Sequence, residues 1–131
     1  MRKDARRPPE GYAPGVCNIG PAEIARRRRI GHLGVAASVA LLAALAVGGA
    51  DRAWRTLVVA PASVAAAGYL QARLRFCANY GFRGLVNMGP IGAATRIEAA
   101  EAIARDRRRA LAVGAASLAV GIAVALVAVA V

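Results

Sequence analysis

Two stretches of this 131-residue chain are uncharged and as long as a bilayer is thick. Residues 30–50, with His32 neutral, form one and residues 110–131 the other. A 21-residue helix rises roughly 31 Å, which matches the ~30 Å hydrocarbon core. Both read as transmembrane helices. Residues 57–70 are a shorter apolar run, bounded by Arg52 and Arg55 on one side and Arg73 on the other. Arginine stems reach outward to the headgroups, and Trp54 and Tyr69 suit interfacial belts near the two ends. Residues 56–72 are therefore a second span. Pro61 falls in its first turns, where a missing N–H does least harm.

The charges orient such a bundle. Eight Lys/Arg precede the first span, two lie between the first and second, and eight lie between the second and third. Positive residues stay inside, so the N-terminus is expected in the cytoplasm and the C-terminus outside the inner membrane. Four arginines before an apolar run also imitate a twin-arginine signal. That run is longer than a signal core, and two more apolar segments follow.

The chain is 58% hydrophobic yet carries net charge +11. A soluble core of this size needs larger side chains than Ala and Val to fill it. The charge raises the possibility of nucleic-acid binding, but the clusters adjoin membrane-length runs and have no interleaved stacking aromatics. Arg26, Arg27, Arg28, Arg29, Arg105, Arg107, Arg108 and Arg109 are expected to contact anionic lipid headgroups and set topology. No nucleic-acid partner is expected.

A short motif occurs twice: Asn18-Ile19-Gly20-Pro21 and Asn87-Met88-Gly89-Pro90. Each precedes an Ile-Ala step, an arginine cluster and an apolar run. Proline suits the first position of a helix, and Glu23 suits the first turn by the helix dipole. Both Gly-Pro pairs are thus expected to start basic amphipathic helices on the membrane surface, which then turn into it. Duplication and chance both account for the repeat.

Residues 17–84 resemble a family of small bacterial inner-membrane domains of unknown function, typified by the membrane part of the YgaP-type rhodanese. Asn18-Ile19-Gly20, Arg26, Arg29 and Gly31 are similar to its opening, and Cys77-Ala78-Asn79-Tyr80-Gly81-Phe82-Arg83-Gly84 to its close. Ala78 stands where the family has proline, and a third apolar run is added. The resemblance implies a membrane-embedded module with a link to sulfur transfer that belongs to the rhodanese part.

Cys77 is the candidate thiol, set among Arg73, Arg75 and Arg83, since cationic surroundings favour thiolates in general. Cys17 would join it if the N-terminal segment folds back beneath the bundle. Two thiols fall short of a structural zinc set, and two cysteines are too few for a disulfide framework. No metal or cofactor is expected. No phosphate loop, paired carboxylates or Ser/His/Asp set is present. His32, just inside the first span, is expected to bond headgroups or a neighbouring loop.

The expected fold is an all-α membrane protein with three transmembrane helices and basic amphipathic helices on the cytoplasmic face. Residues 1–15 form a flexible basic tail and 16–29 an amphipathic helix start. The first span is 30–50 and the second 56–72. A cytoplasmic loop covers 73–95, an amphipathic basic helix 96–109, and the third span 110–131. Gly114 and Gly121 would leave that span a smooth packing face. The expected role is an accessory or interaction subunit rather than an enzyme, as a homo-oligomer or with a membrane protein partner. The alternatives are thiol or sulfur handling through Cys77 and small-anion transport by an oligomer.

Overall fold

Pro21 opens the first long helix, α1 (Pro21–Val47), with Gly20 at its N-cap and Glu23 in its first turn. The computed structural model describes residues 8–131. After a glycine turn, a 3-10 segment (Arg52–Val58) begins with Asp51, whose side chain accepts from the Ala53 amide. It leads into α2 (Val59–Leu74). Pro61 is the third residue of α2, where its missing donor costs little. A short helix, α3 (Ala78–Arg83), and a two-stranded antiparallel pair, β1 (Leu85–Val86) and β2 (Thr95–Arg96), precede the last helix, α4 (Ala100–Ala130).

Among the described residues three helical segments are long and apolar enough to cross a membrane: Pro21–Val47, Arg52–Leu74 and Ala100–Ala130. Their outer faces carry Leu33, Val39, Leu111, Leu118 and Leu126, all exposed. Helices apolar on all sides belong in a solvent of lipid rather than water. The chain is an all-α, multi-pass membrane protein.

The middle segment lies between the other two. Gly31 and Gly34 of α1 meet Tyr69 and Ala65 of α2. Leu41 and Leu42 meet Val58 and Ala62 nearer its start. Rising numbers on one helix meet falling numbers on the other, so the pair is antiparallel. Val58 and Ala62 also pack on Ala125, and Phe76 packs on Ala110 and Val113, so α4 is antiparallel to α2 as well. Small residues let these backbones approach without side chains between them. A Cβ on Gly34 would lie 2.6 Å from the Ala65 nitrogen, and one on Gly68 would strike the Gly31 nitrogen. Gly121 packs on Ser63 and Val59, as its place in the last span led one to expect, whereas Gly114 faces open space. Arg55 Nη1 donates to the Ala128 carbonyl at 3.0 Å and ties the far end of α4 to the start of the middle segment.

Several expectations need correction. Residues 21–29 and 30–47 are one unbroken helix, and so are 100–109 and 110–130. No proline interrupts either junction, so the backbone ladder runs on and nothing turns the chain at the arginines. The second Gly-Pro starts no helix. Pro90 heads a turn in which the Ala93 amide bonds to its carbonyl, and Gly92 adopts φ +91°. The region expected as a loop over 73–95 contains α3 and β1. Of the expected N-terminal tail, residues 1–7 lie outside the described residues. Residues 8–15 are docked: Tyr12 packs beside Val86, Ile97 and Ala102, and Ala13 bridges Cys17. An aromatic ring with a polar tip was the anchor in that arm.

Candidate functional site: a buried polar cluster at the arginine-rich end

The two Asn-x-Gly-Pro copies lie side by side. Ile19 and Asn87 form a parallel bridge. The Asn87 amide donates to the Asn18 carbonyl at 3.0 Å, and the Gly20 amide donates to the Asn87 carbonyl at 2.8 Å. Gly20 must be glycine here, because a Cβ would strike the Met88 carbonyl oxygen.

The two asparagines then do different work. Asn18 Oδ1 accepts from the Cys77 amide at 2.7 Å, and its Nδ2 donates to the Cys77 carbonyl at 3.1 Å. A side-chain amide thus stands in for a neighbouring strand and satisfies both backbone groups of a buried residue. Asn87 Oδ1 accepts from the Gly89 amide at 3.0 Å, and Nδ2 donates to the Pro90 carbonyl at 2.9 Å. This is a local Asx turn, which explains why Pro90 sits in a bend.

Glu23 is fully buried behind these motifs. Its Oε1 accepts from Tyr80 Oη at 3.0 Å and from Asn87 Nδ2 at 3.3 Å. Arg27, one turn along α1, brings Nη2 to 3.4 Å from Glu23 Oε2. The same Nη2 donates to Cys77 Sγ at 2.8 Å. Arg27 also sits over the Tyr80 ring, 5.8 Å from its centre. Arg27 therefore does not reach headgroups. Positions 23, 27, 31 and 34 recur at helical spacing on the face of α1 that is buried. Its neighbours Arg26, Arg28 and Arg29 do face outward. Burial, then the bond to Glu23 and the charge of that carboxylate, push the Tyr80 hydroxyl above the ordinary tyrosine range; Arg27 works the other way.

A second buried carboxylate holds the N-terminal arm. Asp106 is fully buried although it interrupts a run of arginines. It accepts from Tyr12 Oη and from the Gly15 amide, both at 2.7 Å. Of the arginines around it, Arg107 donates to the Phe82 carbonyl at 3.2 Å and Arg105 packs on Gly15. Burial first, then the bond to Asp106, raise the Tyr12 hydroxyl well above the ordinary tyrosine range. A raised value means that the folded state favours the neutral, donating phenol. Its contribution is complete below the unfolded value of about 10 and is lost as pH climbs above it. Tyr12→Phe is therefore expected to cost about 1–2 kcal/mol near neutrality. That cost should shrink above pH ~10, as read from thermal unfolding in detergent at pH 8 and pH 11.

The thiols are not equivalent. Cys77 is 1% exposed and Cys17 is half-buried, and both are free. The arginine at Cys77 is Arg27 from α1, not one of the sequence neighbours at 73, 75 and 83. Cys17 Sγ lies 3.6 Å from the Ile19 carbonyl and lines an open cleft. Among the described residues no group of three or more His, Cys, Asp or Glu side chains converges as a metal site would require. His32 Nδ1 lies 2.6 Å from Tyr69 Oη, an α1–α2 contact between spans rather than one to a loop.

Two signals for this cluster were present in the sequence. Glu23 and Arg27 stand at i and i+4, and Asp106 is the lone acid within an arginine run. Neither signal names its distant partners. No family model, curated protein or solved structure matches the chain.

Proposed function

We propose that this chain is a small accessory or interaction subunit of a bacterial inner membrane. Its arginine-rich end and N-terminus face the cytoplasm and its C-terminal end faces outside. One observation carries the reading: the side chains able to do chemistry in the cluster are turned on one another. Glu23, Arg27, Tyr80 and Asn87 bond inward, and Cys77 is closed off beneath them. Such a network holds one arrangement of helices and loops rather than receiving a substrate. The charge asymmetry of eight, two and eight supports the orientation. The outward arginines of α1 and α4 then meet anionic headgroups, and the open apolar faces meet lipid, another copy or a membrane partner.

Thiol or sulfur handling is the second reading. It is favoured by the guanidinium placed 2.8 Å from Cys77 Sγ. The bonding of Asn18 to Cys77 also supports taking residues 17–84 as one module of the YgaP-type kind. A membrane-impermeant maleimide separates the two readings. Cys17 should label in inside-out vesicles and not in intact cells. Cys77 should label about tenfold or more slowly than Cys17 until the protein is unfolded, and Cys77→Ser should leave assembly intact. Rapid labelling of Cys77 in the folded protein would overturn the structural reading, and labelling of Cys17 in intact cells would reverse the orientation.

A further inference from the structure

We propose that the open cleft between the first turns of α1 and the end of α2 is a binding site for a phosphate group, supplied by an anionic phospholipid headgroup or by a small phosphate ester. The cleft encloses about 700 Å³. Arg28 of α1 lines it, and so do Arg73 in the last turn of α2 and Arg75 at its C-cap. Among the described residues no carboxylate lines it. Among the described residues none of the three arginines takes part in an ion pair or donates a side-chain hydrogen bond.

What sets these three apart from the other arginines of this end is that they line one cavity. Arg27 is committed to Glu23 and Cys77, and Arg107 to the Phe82 carbonyl. The three cleft arginines come from two different elements yet line one cavity, with no acid among its described lining residues to neutralise them. Holding like charges together is unfavourable until an anion joins them. Guanidinium forks match phosphate oxygens in pairs, which an ammonium cannot do.

The other walls say what accompanies the phosphate. Ile19, Ile24, Ala72 and Met88 make an apolar floor. The cavity lies where the apolar parts of α1 and α2 give way to arginines, the level of headgroups in a bilayer. Basic pockets between helices at that level suit phospholipid heads, with the glycerol and upper acyl carbons on the apolar side. The site would stand whichever role the buried cluster plays.

Cys17, which also lines the cleft, is a built-in reporter. The full chain in phosphatidylcholine nanodiscs would be alkylated with a neutral maleimide, with and without phosphatidylglycerol, and the Cys17 peptide quantified by mass spectrometry. A parallel arm in detergent would add glycerol phosphate. Protection of Cys17 by phosphatidylglycerol assigns the lipid source; protection by glycerol phosphate alone assigns the soluble one. Each of Arg28→Gln, Arg73→Gln and Arg75→Gln should raise the half-protecting concentration about fivefold. These side chains are exposed and unpaired, so unfolding midpoints should not move. Arg29→Gln removes the same charge next door but outside the cleft and should change nothing. No protection in either arm would overturn the site. An Arg29→Gln effect equal to that of Arg28→Gln would overturn it too, because a diffuse surface charge would then be at work.

Discussion

Glu23→Ala is expected to destabilise the protein by about 3–5 kcal/mol, the range for removing one partner of a buried ion pair. Glu23 is completely buried and the Arg27 side chain is 10% exposed, so water cannot replace the lost carboxylate. In the same step Tyr80 Oη loses its acceptor and Asn87 Nδ2 loses one of its two, keeping the Pro90 carbonyl. Denaturant unfolding in detergent micelles measures the loss. Glu23→Gln can still accept from Tyr80 and Asn87 but drops the charge opposite Arg27, so its cost should be smaller. Replacing both Glu23 and Arg27 with leucine should recover much of the loss, because no lone charge is then left buried. If Glu23→Ala unfolds within about 0.5 kcal/mol of the parent, as an ordinary surface change does, the cluster does not hold the fold.

The second large effect is steric. Gly68→Ala is expected to cost about 1–3 kcal/mol, and Gly68→Val more. The added carbon would strike the Gly31 nitrogen and lie 2.7 Å from the Arg27 carbonyl oxygen and 2.8 Å from Gly31 Cα. All three are backbone atoms of α1, so relief requires the helices to separate. Separation also moves Glu23 and Arg27 together away from Tyr80 on α3, and the two effects should couple in a double-mutant cycle. Gly114→Ala is the control. It meets nothing within 4 Å and gains helix propensity, so it should be neutral or stabilising by up to about 1 kcal/mol. Equal losses at Gly68 and Gly114 would mean that the α1–α2 contact is not the close one described.

Much of the architecture was legible. Uncharged length at 30–50 and 110–131 marks the first and last spans, and Trp54 and the flanking arginines mark the middle one. Pro21 and Glu23 announce the start of α1. The functional end was less legible. The repeat Asn-x-Gly-Pro looked like one device used twice. In the fold its copies bridge each other, one clamping the backbone of Cys77 and the other closing its own turn. Cys77 was the candidate thiol because Arg73, Arg75 and Arg83 lie near it in sequence. The chain instead seals it under Arg27 and leaves Cys17 beside the cleft.

Hydropathy, charge balance and helix-start chemistry are local quantities, set by residues within a few turns of one another, and a bilayer reads them directly as length and polarity. By itself, therefore, the sequence determined the three spans and the unequal share of basic residues, eight, two and eight, around them. Which arginine is buried, which thiol is covered, and where Tyr12 docks depend on pairs separated by 50, 59 or 94 positions. Only the packing of α1 on α2, and of α3 and the arm on α4, brings those pairs within bonding distance. The small residues at 31, 34 and 68 make the first of these packings possible. They are few and scattered, and their meaning appears only when two backbones touch across them.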